Sequence, residues 1–129
     1  MRRARGLMLV EVLVVIAIMA LISTVVAFGV VHLFLRAKID AAALSTSSLR
    51  RVAGAYRLNH LGDECPTYAQ LRTEKMLDRE SKPNDPWGSP YAISCTDDDV
   101  TVTSAGPDKR IGTEDDIVAP ADAAVAKSP

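Results

Sequence analysis

The chain has 129 residues and a net charge of −1, with 15 basic and 16 acidic side chains. A chain of this length has room for one domain. The near-neutral balance excludes the strongly basic surface that nucleic-acid binding requires, so no nucleic-acid partner is expected.

A long apolar run follows a short basic N-terminus. Residues 12–35 contain no Asp, Glu, Lys or Arg over 24 positions, which exceeds the roughly 20 residues that a helix needs to cross a bilayer. The preceding MRRAR carries three arginines and the acidic part of the chain follows the run, so the positive-inside rule predicts a cytoplasmic N-terminus. A cleaved secretory signal is the alternative, but its apolar region is shorter than this run, and no small-x-small cleavage motif closes this run cleanly. We therefore predict a single-pass membrane protein whose larger part faces outward.

The helical pattern continues past the membrane run. No proline occurs between residues 36 and 64, and four apolar residues recur at the i, i+3, i+4 and i+7 spacing of one helix face. They are Leu49, Val52, Ala53 and Tyr56. We predict one helix over about residues 8–59 that ends near Gly62, because glycine readily takes the left-handed conformation of a helix C-terminus.

Shorter elements are predicted to cover this apolar stripe, which cannot stay in water. Residues 67–76 predict a second helix, with Thr67 as its N-cap. Residues 91–95 and 100–103 alternate between apolar and polar side chains, which predicts a β-hairpin that turns at residues 96–99.

The remaining segments predict loops and a tail. Residues 81–90 and 104–117 are rich in Gly, Asp or Pro and are typical of loops. Residues 119–129 are Ala- and Pro-biased and predict a flexible tail. Trp87, the only tryptophan, is expected to cover the helix stripe around Tyr56.

Two further groups of polar residues do not predict a site. The aspartates at 97–99 form an acidic run at the predicted hairpin tip, where carboxylates are expected to face water. His32 and His60 lie far apart in the predicted helix, so neither is a good metal ligand or catalytic base.

The two cysteines, Cys65 and Cys95, both fall in the part predicted to lie outside the cytoplasm. An oxidising compartment allows them to pair, and an even number of cysteines in a small exported domain favours a disulfide over two free thiols.

Several motifs resemble those of a known superfamily. Residues 5–11, RGLMLVE, followed by a long apolar helix, resemble the class III signal of type IV pilins and type II secretion pseudopilins. Residues 85–91, DPWGSPY, together with SAGPD at 104–108 and GTEDDI at 112–117, resemble the two signatures of the major pseudopilin family, GspG. The resemblance implies an α+β, type IV pilin-like fold. In that fold a long N-terminal helix is packed by a short helix, a small antiparallel β-sheet and a C-terminal metal-binding loop.

The resemblance also implies how the N-terminus is processed. A prepilin peptidase would remove residues 1–6 as a leader by cutting after Gly6 and would methylate the new amino group of Leu7. Residues 7–35 would then form the transmembrane and assembly helix, and residues 36–118 a periplasmic domain that includes the outer half of the helix.

Glu11 is the acid inside the apolar run, and the resemblance implies that it neutralises the N-terminal amine of a neighbouring subunit. A carboxylate in apolar surroundings is far less unfavourable when it is paired with a cation. The alternative is an interfacial acid that reaches the cytoplasmic headgroups.

The resemblance further implies a calcium site in the C-terminal loop. Its ligands would be the side chains of Asp108, Asp115 and Asp116 and the backbone carbonyl of Ala105. Calcium prefers six to eight oxygen ligands, but the EF-hand pattern is absent, so without the resemblance the loop is only a weak metal candidate. The alternative is a solvated acidic turn.

This chain departs from the family pattern at several positions. Leu7 stands where phenylalanine is usual, Met8 where threonine is common, and Phe28 where many relatives have a helix-bending proline. The two cysteines are not a general family feature either.

The implied function is a structural, non-enzymatic subunit of the type II secretion pseudopilus. The expected partners are further copies of the chain, minor pseudopilins, the inner-membrane secretion platform and the prepilin peptidase. One alternative is a minor pseudopilin or a type IV pilin-like subunit for adhesion or DNA uptake. Another is a membrane-tethered enzyme, against which the sequence has no Ser/His/Asp or Cys/His arrangement.

Overall fold

The computed structural model describes residues 8–60 and 64–122, so the predictions at Gly6, Leu7 and Gly62 lie outside the described residues. In chain order, the elements are α1 (Leu9–Asn59), α2 (Tyr68–Thr73), β1 (Ala92–Cys95), β2 (Val100–Ser104) and β3 (Ile117–Ala119). A long helix, a short helix and a small antiparallel sheet agree with the predicted α+β class. The chain divides into an N-terminal unit, residues 1–36, and a C-terminal unit, residues 37–129.

The N-terminal unit contains the first part of α1, whose described side chains are all exposed. Its most apolar 18-residue window has a mean hydropathy of 2.8, so by length and composition the helix can cross a membrane, a test that a signal sequence also passes. Two hydroxyls within it are satisfied by the helix itself: Ser23 Oγ donates to the carbonyl of Met19 (2.7 Å) and Thr24 Oγ1 to that of Ala20 (2.8 Å). These polar side chains therefore need no external partner in an apolar medium.

The C-terminal unit begins with the outer part of α1, which buries one face. The buried residues alternate at spacings of four and three, and they are Ala42, Thr46, Leu49, Ala53 and Tyr56. The predicted stripe is confirmed, with Val52 half-buried beside it. Three of these residues form the core with residues from α2 and β2: Leu49, Ala53, Tyr56, Leu71, Val100 and Val102.

Helix α2 is shorter than predicted. Its N-cap is Thr67, as expected: Thr67 Oγ1 accepts the backbone N–H of Gln70, and the Gln70 side chain accepts the N–H of Thr67 in return. At the other end Lys75 takes a positive φ of 57°, and the N–H of Met76 donates to the carbonyl of Leu71 (3.1 Å). This is the hydrogen-bond pattern of a Schellman motif. The predicted extension to residue 76 is therefore wrong, because the left-handed residue ends the helix.

The predicted β-hairpin is confirmed. Strands β1 and β2 pair antiparallel, with Ile93 opposite Val102 and Cys95 opposite Val100. Along β2 every second residue is buried, ending at Ser104, so one face of the strand points into the core.

Strand β3 was not predicted. The sequence pattern predicts a loop at residue 117 and a tail at residue 119, but Ile117 lies opposite Ser104 and Ala119 opposite Val102. Ala119 is only 4% exposed, so the folded part extends past the predicted domain boundary. Three apolar residues show no alternation, and their stability depends on a partner strand that is distant in sequence.

Trp87 does not have its predicted role. It is half-buried, and among the described residues the partly buried side chains packed on the core include Tyr68, Tyr91 and Ile93 but not Trp87. The expectation that Trp87 covers Tyr56 is therefore wrong. The Tyr56 ring instead stacks on His60, with ring centroids 4.2 Å apart.

Candidate functional site

The acid of the apolar segment, Glu11, lies in the first turn of α1. Its flanking residues Val10 and Val12 are 67% and 46% exposed, so the carboxylate belongs to an apolar surface. A negative charge in the first turn interacts favourably with the helix dipole. No cation among the described residues forms an ion pair with Glu11.

The Asp-Pro-Trp-Gly segment forms a tight turn around a buried carboxylate. Asp85 is 5% exposed, and its Oδ1 accepts the backbone N–H groups of Trp87 (3.1 Å) and Ser89 (2.8 Å). Its carbonyl accepts the N–H of Gly88 (3.0 Å). Asp, Pro and Gly at the first, second and fourth positions are the preferred residues of such a turn. The sequence predicted the loop, but not that its acid is buried.

The second oxygen of Asp85 connects this turn to the end of β2. Ser104 is fully buried, and its Oγ donates to Asp85 Oδ2 (2.7 Å). The same hydroxyl accepts the N–H of Gly106 (3.3 Å). Both carboxylate oxygens are therefore hydrogen-bonded, as buried polar atoms generally are. The network joins the two motifs on which the family resemblance rests.

Gly106 is the point where the aspartate loop, residues 105–116, folds back on itself. Its φ is +66°, and a Cβ on this residue would overlap the backbone carbonyl of Asp115. Only glycine combines this φ with such a close approach of two backbone segments.

Hydrogen bonds within the aspartate loop fix its path. Asp108 Oδ1 accepts the N–H of Arg110 (3.0 Å), and Asp116 Oδ2 accepts the N–H of Gly112 (2.7 Å). Thr113 Oγ1 donates to the carbonyl of Arg110 (3.2 Å). Two of the three predicted ligand carboxylates thus shape the backbone with one oxygen each.

The predicted calcium ligands lie in different surroundings. Asp108 and Asp115 are exposed, Asp116 is half-buried, and Ala105 is 1% exposed. Within the described part of the chain, no three His, Cys, Asp or Glu side chains lie close enough to hold a metal. However, Asp116 Oδ1 is buried without a hydrogen-bond partner. A bound cation is one way to satisfy such an oxygen, so the donor chemistry of the loop fits calcium at Asp116.

Two arginines of α1 bind the hairpin turn, and the sequence did not indicate them. Arg50 pairs with Asp99, with 2.6 Å between Nη2 and Oδ1, and its Nε donates to the carbonyl of Val100 (2.8 Å). One heptad further along, Arg57 Nη1 donates to the carbonyl of Thr96 (2.8 Å). The signal was the i, i+7 spacing of the two arginines, which puts them on one helix face.

This contact changes the interpretation of the acidic run. Asp97 and Asp98 are exposed, as expected, whereas Asp99 is half-buried. The hydrogen bond from Arg50, followed by that from the N–H of Val100, lowers the pKa of Asp99. Asp99 is therefore part of the helix–hairpin contact rather than a solvated tip.

The two cysteines form a disulfide. The Cα atoms of Cys65 and Cys95 are 5.5 Å apart, and the bond spans 30 positions of sequence. It joins the segment before α2 to the last residue of β1, so it fixes the short helix against the sheet.

A groove of about 980 Å³ lies beside α1 and is lined by Ser45, Tyr68 and Tyr91 among others. Burial raises the pKa of the Tyr91 hydroxyl. None of the described residues lining the groove is a histidine or a cysteine.

Residues 57–120, about half of the chain, match the family model described as Type II secretion system (T2SS), protein G. The match begins in the last turn of α1 and ends one residue after β3. It contains both hydrogen-bonded motifs and the disulfide. No curated protein and no solved structure matches the chain.

Proposed function

We propose that this chain, which belongs to the type II secretion system protein G family, is a structural subunit of the secretion pseudopilus. Copies of the chain leave the inner membrane and polymerise, and the growing filament drives protein export across the outer membrane. The observation that carries the proposal is the family match over residues 57–120. The apolar, exposed first part of α1 supplies the kind of surface that membrane residence and filament packing both require.

The proposed topology follows the charge distribution. The N-terminal arginines stay in the cytoplasm and the C-terminal unit lies in the periplasm. The disulfide between Cys65 and Cys95 supports this arrangement, because disulfides persist in the periplasm and are rare in the cytoplasm.

Before assembly, a prepilin peptidase cuts after Gly6 and methylates the amino group of Leu7. In the filament, that amine pairs with Glu11 of a neighbouring copy. Support for the pairing comes from the exposed apolar flanks of Glu11, because a carboxylate buried between such surfaces needs a cation. Mass spectrometry of the membrane-extracted protein tests the processing: the N-terminal peptide should begin with N-methyl-Leu7, and a peptide that begins at Met1 in the mature protein would contradict it.

We also propose that the aspartate loop binds calcium, with Asp108, Asp115, Asp116 and the carbonyl of Ala105 as ligands. The support is the unpartnered buried oxygen of Asp116. Asp108 and Asp115 are exposed, and Asp108 uses only Oδ1 for its hydrogen bond with Arg110, which leaves Oδ2 as a donor for the ion. Calcium would supply positive charge that holds the acids together and stabilises the folded loop.

A gene deletion in the source bacterium tests the export function. Loss of the chain should trap type II substrates in the periplasm, and resupplying it should restore their release into the medium. A resident periplasmic protein serves as the leakage control and should stay inside in every strain. Normal secretion, combined with loss of surface adhesion or DNA uptake, would reject the proposal in favour of a type IV pilin-like subunit.

A further inference from the structure

The buried carboxylate of Asp85 is not among the proposed calcium ligands, yet both of its oxygens are hydrogen-bonded. It accepts three hydrogen bonds, from the N–H groups of Trp87 and Ser89 and from the hydroxyl of Ser104. A carboxylate is a pure acceptor, so with Asp at this position the Ser104 hydroxyl must donate its proton. A neutral amide would instead present an N–H donor to Ser104 and reverse that hydrogen bond.

The Ser104 hydroxyl is hydrogen-bonded both to Asp85 and to the aspartate loop. A hydroxyl has a single proton, and here that proton points to Asp85. The lone pairs of the same oxygen are then free to accept the N–H of Gly106. Gly106 lies directly against the carbonyl of Asp115, so the bond to Ser104 sets the position at which the two ends of the aspartate loop meet.

We propose that Asp85 and Ser104 are positioning residues that hold the aspartate loop in its calcium-binding conformation and couple it to the turn around Trp87. This inference rests on the proposed calcium binding of the previous section. Neither residue touches the ion. Their contribution is to hold Gly106, and through it the backbone before Asp116, in place. Partners that orient ligands from outside a metal site commonly change metal affinity by about 10- to 100-fold.

Tryptophan fluorescence can be used to detect this coupling. Trp87 is the only tryptophan, and its backbone N–H is bonded to the carboxylate that holds Ser104. Ordering of the aspartate loop by calcium should therefore change the tryptophan emission, although Trp87 is not a ligand.

The experiment uses the full chain purified in detergent micelles after removal of calcium. Calcium chloride is titrated in while binding heat and tryptophan emission are both recorded. In the wild type, the ion should bind and the emission should change. Ser104→Ala should weaken binding by about 10- to 100-fold and abolish the emission change, and Ser104→Thr, which restores the hydroxyl, should recover both. Ser94→Ala is the matched control, since it removes an exposed serine hydroxyl from β1.

A second variant covers the case in which Ser104→Ala does not fold. Asp85→Asn keeps the side-chain shape but removes the pure acceptor, and it should weaken calcium binding in the same way. Calcium binding and an emission response that are unchanged in both variants would overturn the positioning role and leave the calcium site itself intact. No binding to the wild-type chain would overturn the calcium site and this inference together.

Discussion

Oδ2 of Asp85 accepts a 2.7 Å hydrogen bond from the hydroxyl of Ser104, which lies 19 positions further along the chain. Both groups are buried, at 5% and 0% exposure. The bond therefore connects the irregular turn around Asp85 to the last residue of β2. In a small domain such a polar contact specifies the path of the loops, because either partner left alone would be a buried unsatisfied group.

Gly106→Ala should strongly destabilise the C-terminal unit. The positive φ of Gly106 is strained for alanine, and the new Cβ would meet the carbonyl of Asp115. Together the strain and the overlap should lower the free energy of unfolding by about 2–4 kcal/mol. Denaturant unfolding of fragment 37–129, which contains every buried residue of the described chain, measures the change.

Gly112→Ala is the control for that measurement. Gly112 also has a positive φ, of 98°, but a Cβ there meets no atom within 4 Å. Gly112→Ala should lower the free energy of unfolding only by the backbone strain, about 1–2 kcal/mol. Equal losses at Gly106 and Gly112 would show that the close approach to Asp115 contributes nothing.

Asp99→Asn should remove a stabilisation that depends on pH. The folded state lowers the pKa of Asp99 below the ordinary 3.8, so ionisation of Asp99 stabilises the fold. This stabilisation is fully present above the unfolded pKa and is lost as the pH falls through the folded pKa. At about pH 7 the variant should melt below the wild type, and by about pH 2 the two melting temperatures should converge. The effect should be small, since the Asp99 side chain is 47% exposed.

Asp98→Asn is the matched variant for this pH series, because it removes the same charge from the neighbouring exposed position. Its melting temperature should follow the wild type more closely at every pH. If Asp98→Asn and Asp99→Asn behave alike, the ion pair with Arg50 does not stabilise the fold.

Replacement of both Cys65 and Cys95 by serine should lower the free energy of unfolding by about 3–4 kcal/mol. The bond closes a loop over 30 positions of sequence, and the estimate follows from the conformational entropy that this closure removes from the unfolded chain. Thermal melting of fragment 37–129 with and without reductant checks it: reductant should lower the wild-type melting temperature and leave the double variant unchanged. Equal melting of wild type and variant without reductant would contradict a structural role for the bond.

The parts of the fold that could be predicted from sequence are those with a local cause. The stripe through Leu49 and Tyr56 follows from helical periodicity, and the cap at Thr67 follows from its reciprocal bond with a residue three positions later. The hairpin of β1 and β2 follows from alternation on both sides of a polar turn.

The parts that could not be predicted depend on partners far away in the sequence. Arg50 and Asp99 are 49 positions apart, and β3 exists only because β2 offers an edge to Ile117 and Ala119. The burial of Asp85 likewise depends on Ser104. In the candidate calcium loop, the family motifs indicated the acids, but the role of Gly106 in closing the loop depends on its contact with Asp115 and is invisible in the sequence alone.

Glu11→Ala should leave the chain processed and inserted but unable to form filaments. Removing the acid makes α1 more apolar, so insertion should not suffer, and the cleavage position after Gly6 is unchanged. What the variant lacks is the charge that pairs with the amine of Leu7 on a neighbouring copy, so that amine would be buried alone in the filament. Shearing the cells and probing the released fraction should detect filaments for the wild type and none for the variant, while the membrane fraction contains mature protein in both. Glu11→Asp keeps the charge on a shorter side chain and should retain partial assembly. Filaments of normal abundance from Glu11→Ala would refute the pairing, and the acid would then be better explained as a headgroup contact at the cytoplasmic surface.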